Sequence, residues 1–446
     1  MAEKLFGTDG VRGKAGEYPL DPPTVARFAA ALVKALPYSS STGARILVGR
    51  DTRESGTWIE REIARGVRGM GARLTSAGVL PTPATAYLTK SMEFDAGIVI
   101  SASHNPFEDN GIKVFSGEGE KFDEDLEAHV ESVMADPSWV VDAEHGPPVE
   151  QRDMVASYIT HARTALTDMS ALRRSKVVVD CANGATVTVA PRLFRDLGFD
   201  VTLLGATPDG RNINLGCGST HPEHVANAVR EGGHILGVSF DGDGDRCILV
   251  DGNGQIIDGD AIMLILARHM KMHRELKGNT VVATVMSNIG LELALARHDI
   301  AMVRTPVGDK YVADVIAKND YALGGEQSGH IILSDYLFTG DGIVTALAVL
   351  RVMADTGRSL ADLAAEYVRY PQVLLNVRVK ERRDITQVPA LVDVMQRIEA
   401  ELHGNGRLLV RYSGTEPLLR IMLEGQDQAQ IHAWAEEIAS VARAAL

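Results

Sequence analysis

Cysteine is scarce in this chain: Cys181, Cys217 and Cys247 are the whole set in 446 residues. An odd, sparse complement does not build a disulfide framework, and it suits a reducing compartment. Aromatic residues make up only 5% of the chain, and no apolar run approaches the ~18 residues that a membrane span needs. The opening Met1-Ala2-Glu3-Lys4-Leu5-Phe6-Gly7 lacks the apolar core of a signal peptide, so a cytoplasmic protein is expected. Basic excess is missing too. The net charge of −14 argues against general affinity for nucleic acid or anionic membrane. There is no Gly-x-Ser-x-Gly elbow. Gly13-Lys14 is followed by Ala15 rather than Ser or Thr, and no strand-linked Gly-x-Gly-x-x-Gly occurs, so Walker and Rossmann loops are excluded.

What is present is a soluble globular composition, 45% hydrophobic and 23% charged, long enough for about three domains at ~150 residues each. Apolar strands alternate with helical patterns. Units open at Arg45-Ile46-Leu47-Val48-Gly49, at Lys176-Val177-Val178-Val179-Asp180 and at Thr280-Val281-Val282-Ala283-Thr284-Val285. Three such openings suggest three related α/β units with buried sheets. The tail differs: a half-exposed strand at 373–379, a helix over about 388–403, two strands around residues 412–417 and a helix over about 427–444 read as a small α+β domain. Joints are expected near residues 140–155, near Asp251–Gly259 and at Tyr370-Pro371.

Asp241-Gly242-Asp243-Gly244-Asp245-Arg246 is the most informative stretch. In an extended segment alternate residues face one way, so the three carboxylates can converge, with the glycines letting the backbone bend. Converging anions call for a hard divalent cation, and Mg²⁺ commonly keeps open positions for a phosphate. An EF-hand loop does not fit, since Arg246 and Gly252 stand where Gly and Glu are required.

Other loops offer complementary chemistry. Ser101-Ala102-Ser103-His104-Asn105-Pro106 follows the apolar strand 96–100, and Pro106 keeps Asn105 out of helical geometry. Either serine could instead cap a turn. Lys113 could stabilise a phosphoryl group or lie solvated on the surface. Gly324-Gly325-Glu326-Gln327-Ser328-Gly329-His330 could bind sugar hydroxyls or form a structural turn. Arg411-Tyr412-Ser413-Gly414-Thr415-Glu416-Pro417, with Arg420 beyond, has the donors of a phosphate cradle, or is a hairpin turn.

Together, Ser-His-Asn-Pro at 103–106, Asp-Gly-Asp-Gly-Asp-Arg at 241–246, Gly-Glu-Gln-Ser-Gly-His at 325–330 and Arg-Tyr-Ser-Gly-Thr-Glu-Pro at 411–417 resemble the α-D-phosphohexomutase superfamily, in its motif order. The opening Gly7-Thr8-Asp9-Gly10-Val11-Arg12-Gly13 matches as well. The stretch Asn212–His221 and Gln327 resemble the branch acting on amino sugars.

The resemblance implies four domains around a central cleft: three related α/β domains with mixed sheets plus a small C-terminal α+β domain. Their expected spans are 1–155 with the phosphoserine loop, 156–253 with the metal-binding loop, 254–369 with the sugar-binding loop and 370–446 with the phosphate-binding loop. It implies interconversion of glucosamine 6-phosphate and glucosamine 1-phosphate, toward UDP-N-acetylglucosamine and wall precursors. Ser103 would be a phosphoserine. Mg²⁺ would be held by Asp241, Asp243, Asp245 and a Ser103 phosphoryl oxygen. Arg12, Arg246 and Lys113 would surround the transferring group, and Lys113 or His330 would move the proton. Thr305, Gly308, Asp309, Lys310, Glu326 and Ser328 would hold the sugar. Arg411, Ser413, Gly414, Thr415 and Arg420 would hold the non-reacting phosphate. Glucosamine 1,6-bisphosphate or glucose 1,6-bisphosphate would serve as intermediate and activator. The expected partner is a small-molecule sugar phosphate, not nucleic acid or membrane, with a homodimer open as an assembly. Glucose or mannose phosphates as substrates, a sugar phosphatase and a non-catalytic sensor remain alternatives. Ser101→Ala is expected to be mild.

Overall fold

A computed structural model describes residues 5–7, 9–37, 43–141, 146, 148–413 and 417–446. Thr8, Gly414, Thr415 and Glu416 of the motifs, and part of the expected joint near 140–155, lie outside the described residues.

The first sheet joins β1 (Val11–Lys14), β2 (Arg45–Arg50), β3 (Arg73–Val79), β4 (Ala96–Ile100), β5 (Asp109–Ser116) and β6 (Glu150–Gln151) in the order β1-β5-β4-β2-β3-β6. It is mixed: β4, β2, β3 and β6 run parallel, and β5 and β1 are antiparallel to their neighbours. Ile46, Val48, Ile98, Ile100 and Ile112 from these strands pack against Phe28, Leu32, Ile59 and Ile63 of the covering helices Pro22–Ala35 and Gly56–Gly69. Near-continuous apolar runs such as Ile46-Leu47-Val48 are what a sheet buried on both faces requires.

A second mixed sheet joins β7 (Lys176–Asp180), β8 (Asp200–Leu204), β9 (Leu236–Phe240), β10 (Cys247–Asp251) and β11 (Ile256–Ile257) in the order β11-β10-β9-β7-β8. A third joins β12 (Thr280–Thr284), β13 (Ala301–Thr305), β14 (Leu323–Gly325) and β15 (Ile331–Leu333) in the order β13-β12-β14-β15. The last sheet is small and wholly antiparallel, with β16 (Gln372–Arg378), β17 (Arg407–Tyr412) and β18 (Leu418–Glu424) in the order β16-β18-β17. Leu391, Val394 and Ile398 of helix Pro389–Leu402 and Ile431, Ala435 and Ile438 of helix Gln428–Ala445 close its core.

The described residues pack as two compact units, one of 1–286 with 302–365 and one of 287–301 with 366–446. Within the second, the helix Ile289–Ala296 belongs with the C-terminal sheet although it lies early in the sequence. Asn288 Nδ2 and the Ile289 N–H donate to the buried Glu424 carboxylate at 3.3 and 3.0 Å, and Arg407 Nε meets the same group at 3.1 Å. No helix among the described residues is long and apolar enough to cross a membrane.

Candidate active site

The site in the first unit is assembled at the carboxyl ends of parallel strands, where α/β sheets present their loops. The loop after β4 carries Ser103 and the loop after β9 carries the aspartates. Ser103 Oγ donates to Asp241 Oδ2 at 2.5 Å, across 138 residues of sequence.

The three aspartates do converge, but not by strand alternation. β9 and β10 pair antiparallel with Phe240 opposite Cys247, so residues 241–246 form the loop closing a hairpin. The Gly244 N–H donates to Asp241 O at 3.2 Å, and Gly244 takes a φ of +75°, open to glycine at little cost. Asp241 Oδ1 accepts the N–H groups of Gly244 and Arg246 at 3.1 and 3.2 Å. Gly242 has a different reason: a Cβ there would stand 2.5 Å from Ser103 O, so only glycine lets the two loops touch.

The carboxylates of Asp241, Asp243 and Asp245 are buried, and one ligand atom from each lies within 4.8 Å of the others. Lys113 on β5 is not on the surface; it is 1% exposed. Its Nζ lies 2.9 Å from Asp243 Oδ2, 3.0 Å from Asp245 Oδ2 and 3.1 Å from Asp9 Oδ2. Burial works against that ammonium, but Asp243, Asp245 and Asp9 overcome it and hold its pKa well above the usual lysine value. Burial likewise opposes charge on Asp245, and Lys113, His330 and Arg246 reverse the effect, keeping it well below the usual carboxylate range. Asp241 goes the other way: burial, then Asp245 and Asp243, drive it well upward. One lysine does not balance this cluster. Asp243 Oδ1 is moreover buried without a hydrogen-bond partner. An all-oxygen donor set with an orphaned carboxylate oxygen fits a hard divalent cation.

Ser103 itself has a left-handed backbone, φ +52°. Such a conformation persists only where the surroundings over-determine it. They do so here. Arg53, fully buried, pairs with Asp51 and donates through Nη2 to Ser103 O at 3.2 Å and Asn105 O at 2.6 Å. Asn214 Nδ2 donates to the same two carbonyls at 2.9 and 3.1 Å. Ser101 Oγ donates to Asp51 Oδ2 at 2.5 Å and accepts the Ser103 N–H at 2.9 Å. Ser101 is therefore part of the scaffold, which corrects the expectation that its removal is mild. His104 Nδ1 lies 3.3 Å from Ser103 Oγ, and burial, with Arg246 and Arg12, lowers its pKa to about 4, so the ring is neutral at pH 7.

A pocket of about 470 Å³ opens beside this cluster. Of the expected site residues it is lined by Arg12, Asp245, Arg246, Gly308, Asp309, Glu326 and His330, together with His104 and Asp9. Its volume lies within the range usual for small-molecule sites. Glu326 Oε1 accepts the Gly308 N–H at 3.3 Å, which joins the two expected sugar-binding loops. His330 is buried; its Nε2 lies 3.0 Å from Gly340 N and 3.4 Å from Asp309 Oδ2, and its Nδ1 lies 3.7 Å from Asp245 Oδ1. Burial disfavours the charged ring while Asp245 and Asp309 favour it. The two carboxylates prevail, and the pKa is raised above the usual histidine value.

Some expected residues point elsewhere. Thr305 Oγ1 donates to Pro306 O at 2.9 Å, Lys310 Nζ pairs with Glu127 at 3.3 Å, and Ser328 is exposed and does not line the pocket. In the second unit, Arg411 and Arg420 stand directly opposite on β17 and β18, and Arg420 Nη2 lies 3.4 Å from Ser413 Oγ. Like charges so placed repel unless an anion joins them.

Sequence reasoning missed several participants. Asp9 ties Lys113, Lys121 and Arg12 together, and Lys121 also pairs with Asp309. Thr82 Oγ1 donates to Asp243 Oδ2 at 2.6 Å. Charges placed immediately after the apolar strand β2 were the available signal for Asp51 and Arg53; nothing in the sequence marks Thr82.

The chain is similar to known proteins along nearly its whole length. Sequence models of the phosphoglucomutase/phosphomannomutase family match α/β/α domain I over residues 3–140, domain II over 156–254, domain III over 258–370 and the C-terminal domain over 374–441. Phosphoglucosamine mutase of Syntrophotalea carbinolica is 46% identical over 445 residues, covering 99% of this chain and 97% of that one. The Pseudomonas putida enzyme of the same name is 44% identical over 443 residues, covering 99% of each. Among solved structures, a phosphoglucomutase/phosphomannomutase family protein from Burkholderia thailandensis superposes with a TM-score of 0.81 at 23% identity, covering 100% of this chain and 98% of that one. Aspergillus fumigatus N-acetylphosphoglucosamine mutase, solved with GlcNAc-6P and magnesium, gives 0.63 at 19% identity, covering 99% and 96%. With a relative 46% identical over nearly its whole length and all four domain models matched in order, the chain belongs to the phosphoglucosamine mutase family of enzymes, within the phosphohexomutase superfamily.

Proposed function

We propose that this enzyme interconverts glucosamine 6-phosphate and glucosamine 1-phosphate through a phosphorylated Ser103 and a 1,6-bisphosphate intermediate, on the route to UDP-N-acetylglucosamine. The observation that carries the proposal is the meeting of Ser103 Oγ with Asp241 at 2.5 Å, beside a buried carboxylate cluster and an ammonium. Asp241, Asp243, Asp245 and the Ser103 oxygen would hold Mg²⁺, which when bound neutralises charge on the transferring phosphoryl group.

The remaining work falls to the chain's own side chains. Phosphoryl passes from Ser103 Oγ to a sugar hydroxyl: the Oγ–P bond breaks, a sugar O–P bond forms, the hydroxyl proton leaves to a pocket group, and Ser103 Oγ, as leaving group, takes up a proton to become the hydroxyl again. Lys113 is held as an ammonium, so it serves as fixed charge rather than as a base. His330 lines the pocket and is the proton-moving group that remains of the two. Arg12 and Arg246, on the pocket wall, would bind the phosphoryl oxygens, and Glu326 the ring hydroxyls or the amine. Arg411, Ser413 and Arg420, with Gly414 and Thr415 of the same loop, would hold the other phosphate. Return of that second phosphate to Ser103 completes the interconversion.

The test is a coupled assay comparing glucosamine, glucose and mannose phosphates, with inorganic phosphate measured in parallel. Preference for glucosamine phosphate without phosphate release supports the proposal. Equal or better turnover of glucose or mannose phosphate, or stoichiometric phosphate release, overturns it.

A further inference from the structure

The helix Gly259–Met272 ends in His269-Met270-Lys271-Met272-His273. His269 and His273 are one turn apart, and the His273 N–H still donates to His269 O at 3.1 Å, so helical register carries through both. Their rings lie 4.3 Å apart between centroids. The helix Gly342–Thr356 brings Asp355 to the same place, its Oδ2 3.1 Å from His269 Nε2. One ligand atom from each of the three residues lies within 4.8 Å of the others. None of them lines the pocket beside Ser103.

We propose that His269, His273 and Asp355 bind a borderline divalent transition-metal ion of the zinc class, distinct from the cation at the aspartate cluster. Two imidazoles and one carboxylate are the donor set such ions prefer, whereas magnesium prefers oxygen alone. A fourth position would be filled by water, since His273 and Asp355 are exposed. The surroundings orient the ligands. Thr167 Oγ1 donates to Asp355 Oδ1 at 2.8 Å, which turns Oδ2 toward the imidazole. Such outer partners fix ligand geometry in metal sites. His269 is 4% exposed, so its ring is held in place by the helices around it. Arg351 lies 3.6 Å from Asp355 Oδ2, and its charge is answered by Glu275 at 2.8 Å. The C-terminal end of a helix also favours positive charge. An ion here would take the place of the proton between His269 Nε2 and Asp355 Oδ2, and it would tie the ends of two helices together at the mouth of a second cavity, which His269 and Arg351 help to line.

The test is calorimetric titration of ZnCl₂ into the full-length enzyme in excess Mg²⁺, wild type against His273→Ala. Any ion taken by the aspartates is common to both proteins and cancels in the comparison. His273 is exposed, so the variant should melt with wild type in EDTA. The proposal expects one more zinc equivalent in wild type, a tenfold or greater loss of that affinity in the variant, and a zinc-induced rise in melting temperature that His273→Ala lacks. Asp355→Asn should lose affinity similarly. Superimposable zinc isotherms for wild type and His273→Ala would overturn it, and so would abolition of the extra equivalent by millimolar Mg²⁺. Either result would leave His269 and Asp355 as a plain hydrogen-bonded tie between helices.

Discussion

Replacing Lys113 with methionine removes the ammonium buried among the aspartates while keeping a long unbranched side chain. In wild type the ammonium lies within 2.9–3.1 Å of Asp243, Asp245 and Asp9, and its side chain is 1% exposed. Breaking a buried ion pair by removing one partner costs about 3–5 kcal/mol. The variant should therefore melt several degrees below wild type in EDTA. Mg²⁺ should then do more for the variant than for wild type. Two unit charges at roughly 4 Å and an effective dielectric near 20 interact by about 4 kcal/mol. Two of the expected cation ligands are the carboxylates that Lys113 touches, so loss of its charge should tighten Mg²⁺ binding by about tenfold or more. By linkage, stabilisation grows with the logarithm of ligand concentration once it exceeds Kd. The variant's melting temperature should accordingly begin to climb at lower Mg²⁺, and the gap to wild type should narrow. Turnover should nonetheless fall at least about a hundredfold, because fixed positive charge at the phosphoryl group is lost. Differential scanning calorimetry across a magnesium series, with Lys113→Arg as the charge-conserving control, reads all of this. If Lys113→Met melts like wild type in EDTA, or its magnesium dependence overlays that of wild type, the electrostatic account of the cluster is wrong.

Ser103→Ala should abolish phosphorylation by intact mass. Ser101→Ala should keep the phosphate but lower stability by about 1–3 kcal/mol, because Asp51 and the Ser103 N–H each lose a buried partner; phosphate on Ser101 would refute the assignment. Arg420→Ala should weaken sugar-phosphate binding by about one to two decades, from roughly 1.5–3 kcal/mol for a charge-assisted bond, in both reaction directions. A loss of kcat/KM in one direction alone would mean that this loop does not hold both substrate orientations. Asp341 caps the helix Gly342–Thr356 and accepts Tyr158 Oη at 2.8 Å, and burial raises its pKa to about 6. The native carboxyl then keeps its proton between pH 3.8 and about 6 while the unfolded one loses it, so stability falls as pH rises through that window, by about 3 kcal/mol. The difference in melting temperature between wild type and Asp341→Asn should shift in the variant's favour from pH 4 to 6.5, and a pH-independent difference would refute the assignment.

The sheets were legible because their strands are apolar runs bounded by glycine and charge, as at Ile46–Val48 and Val177–Val179. The aspartate turn was legible because alternating Asp and Gly has few other uses, although the hairpin that makes it converge depends on the β9–β10 pairing. Lys113 taken alone read more readily as a solvated surface lysine; the pairing of Val99 with Lys113 across β4 and β5, which sets it facing the cluster, reverses that. Thr82 and Lys121 carry no local signature, and Asp9 and Asn214, though they sit in recognisable motifs, show no partner there. Each matters through a partner far away in sequence, and spacing within a motif is silent about such contacts. The same applies to Lys310 and Ser328, which sit in the two loops expected to bind sugar yet turn toward Glu127 and solvent.

The helix Ile289–Ala296 bears on modularity and inheritance. It falls within the stretch matched to the third family domain, 258–370, yet it packs with the C-terminal sheet, where its amino end satisfies the buried Glu424. A chimaera that exchanged residues 374–441 between relatives, following the sequence-defined boundary, would divide one compact unit rather than fall between two. Glu424 would then depend on a foreign Asn288 equivalent for its hydrogen bonds. The compact unit is discontinuous, residues 287–301 together with 366–446, so an exchange that keeps Glu424 with its own Asn288 has to carry both pieces even though some sixty residues separate them.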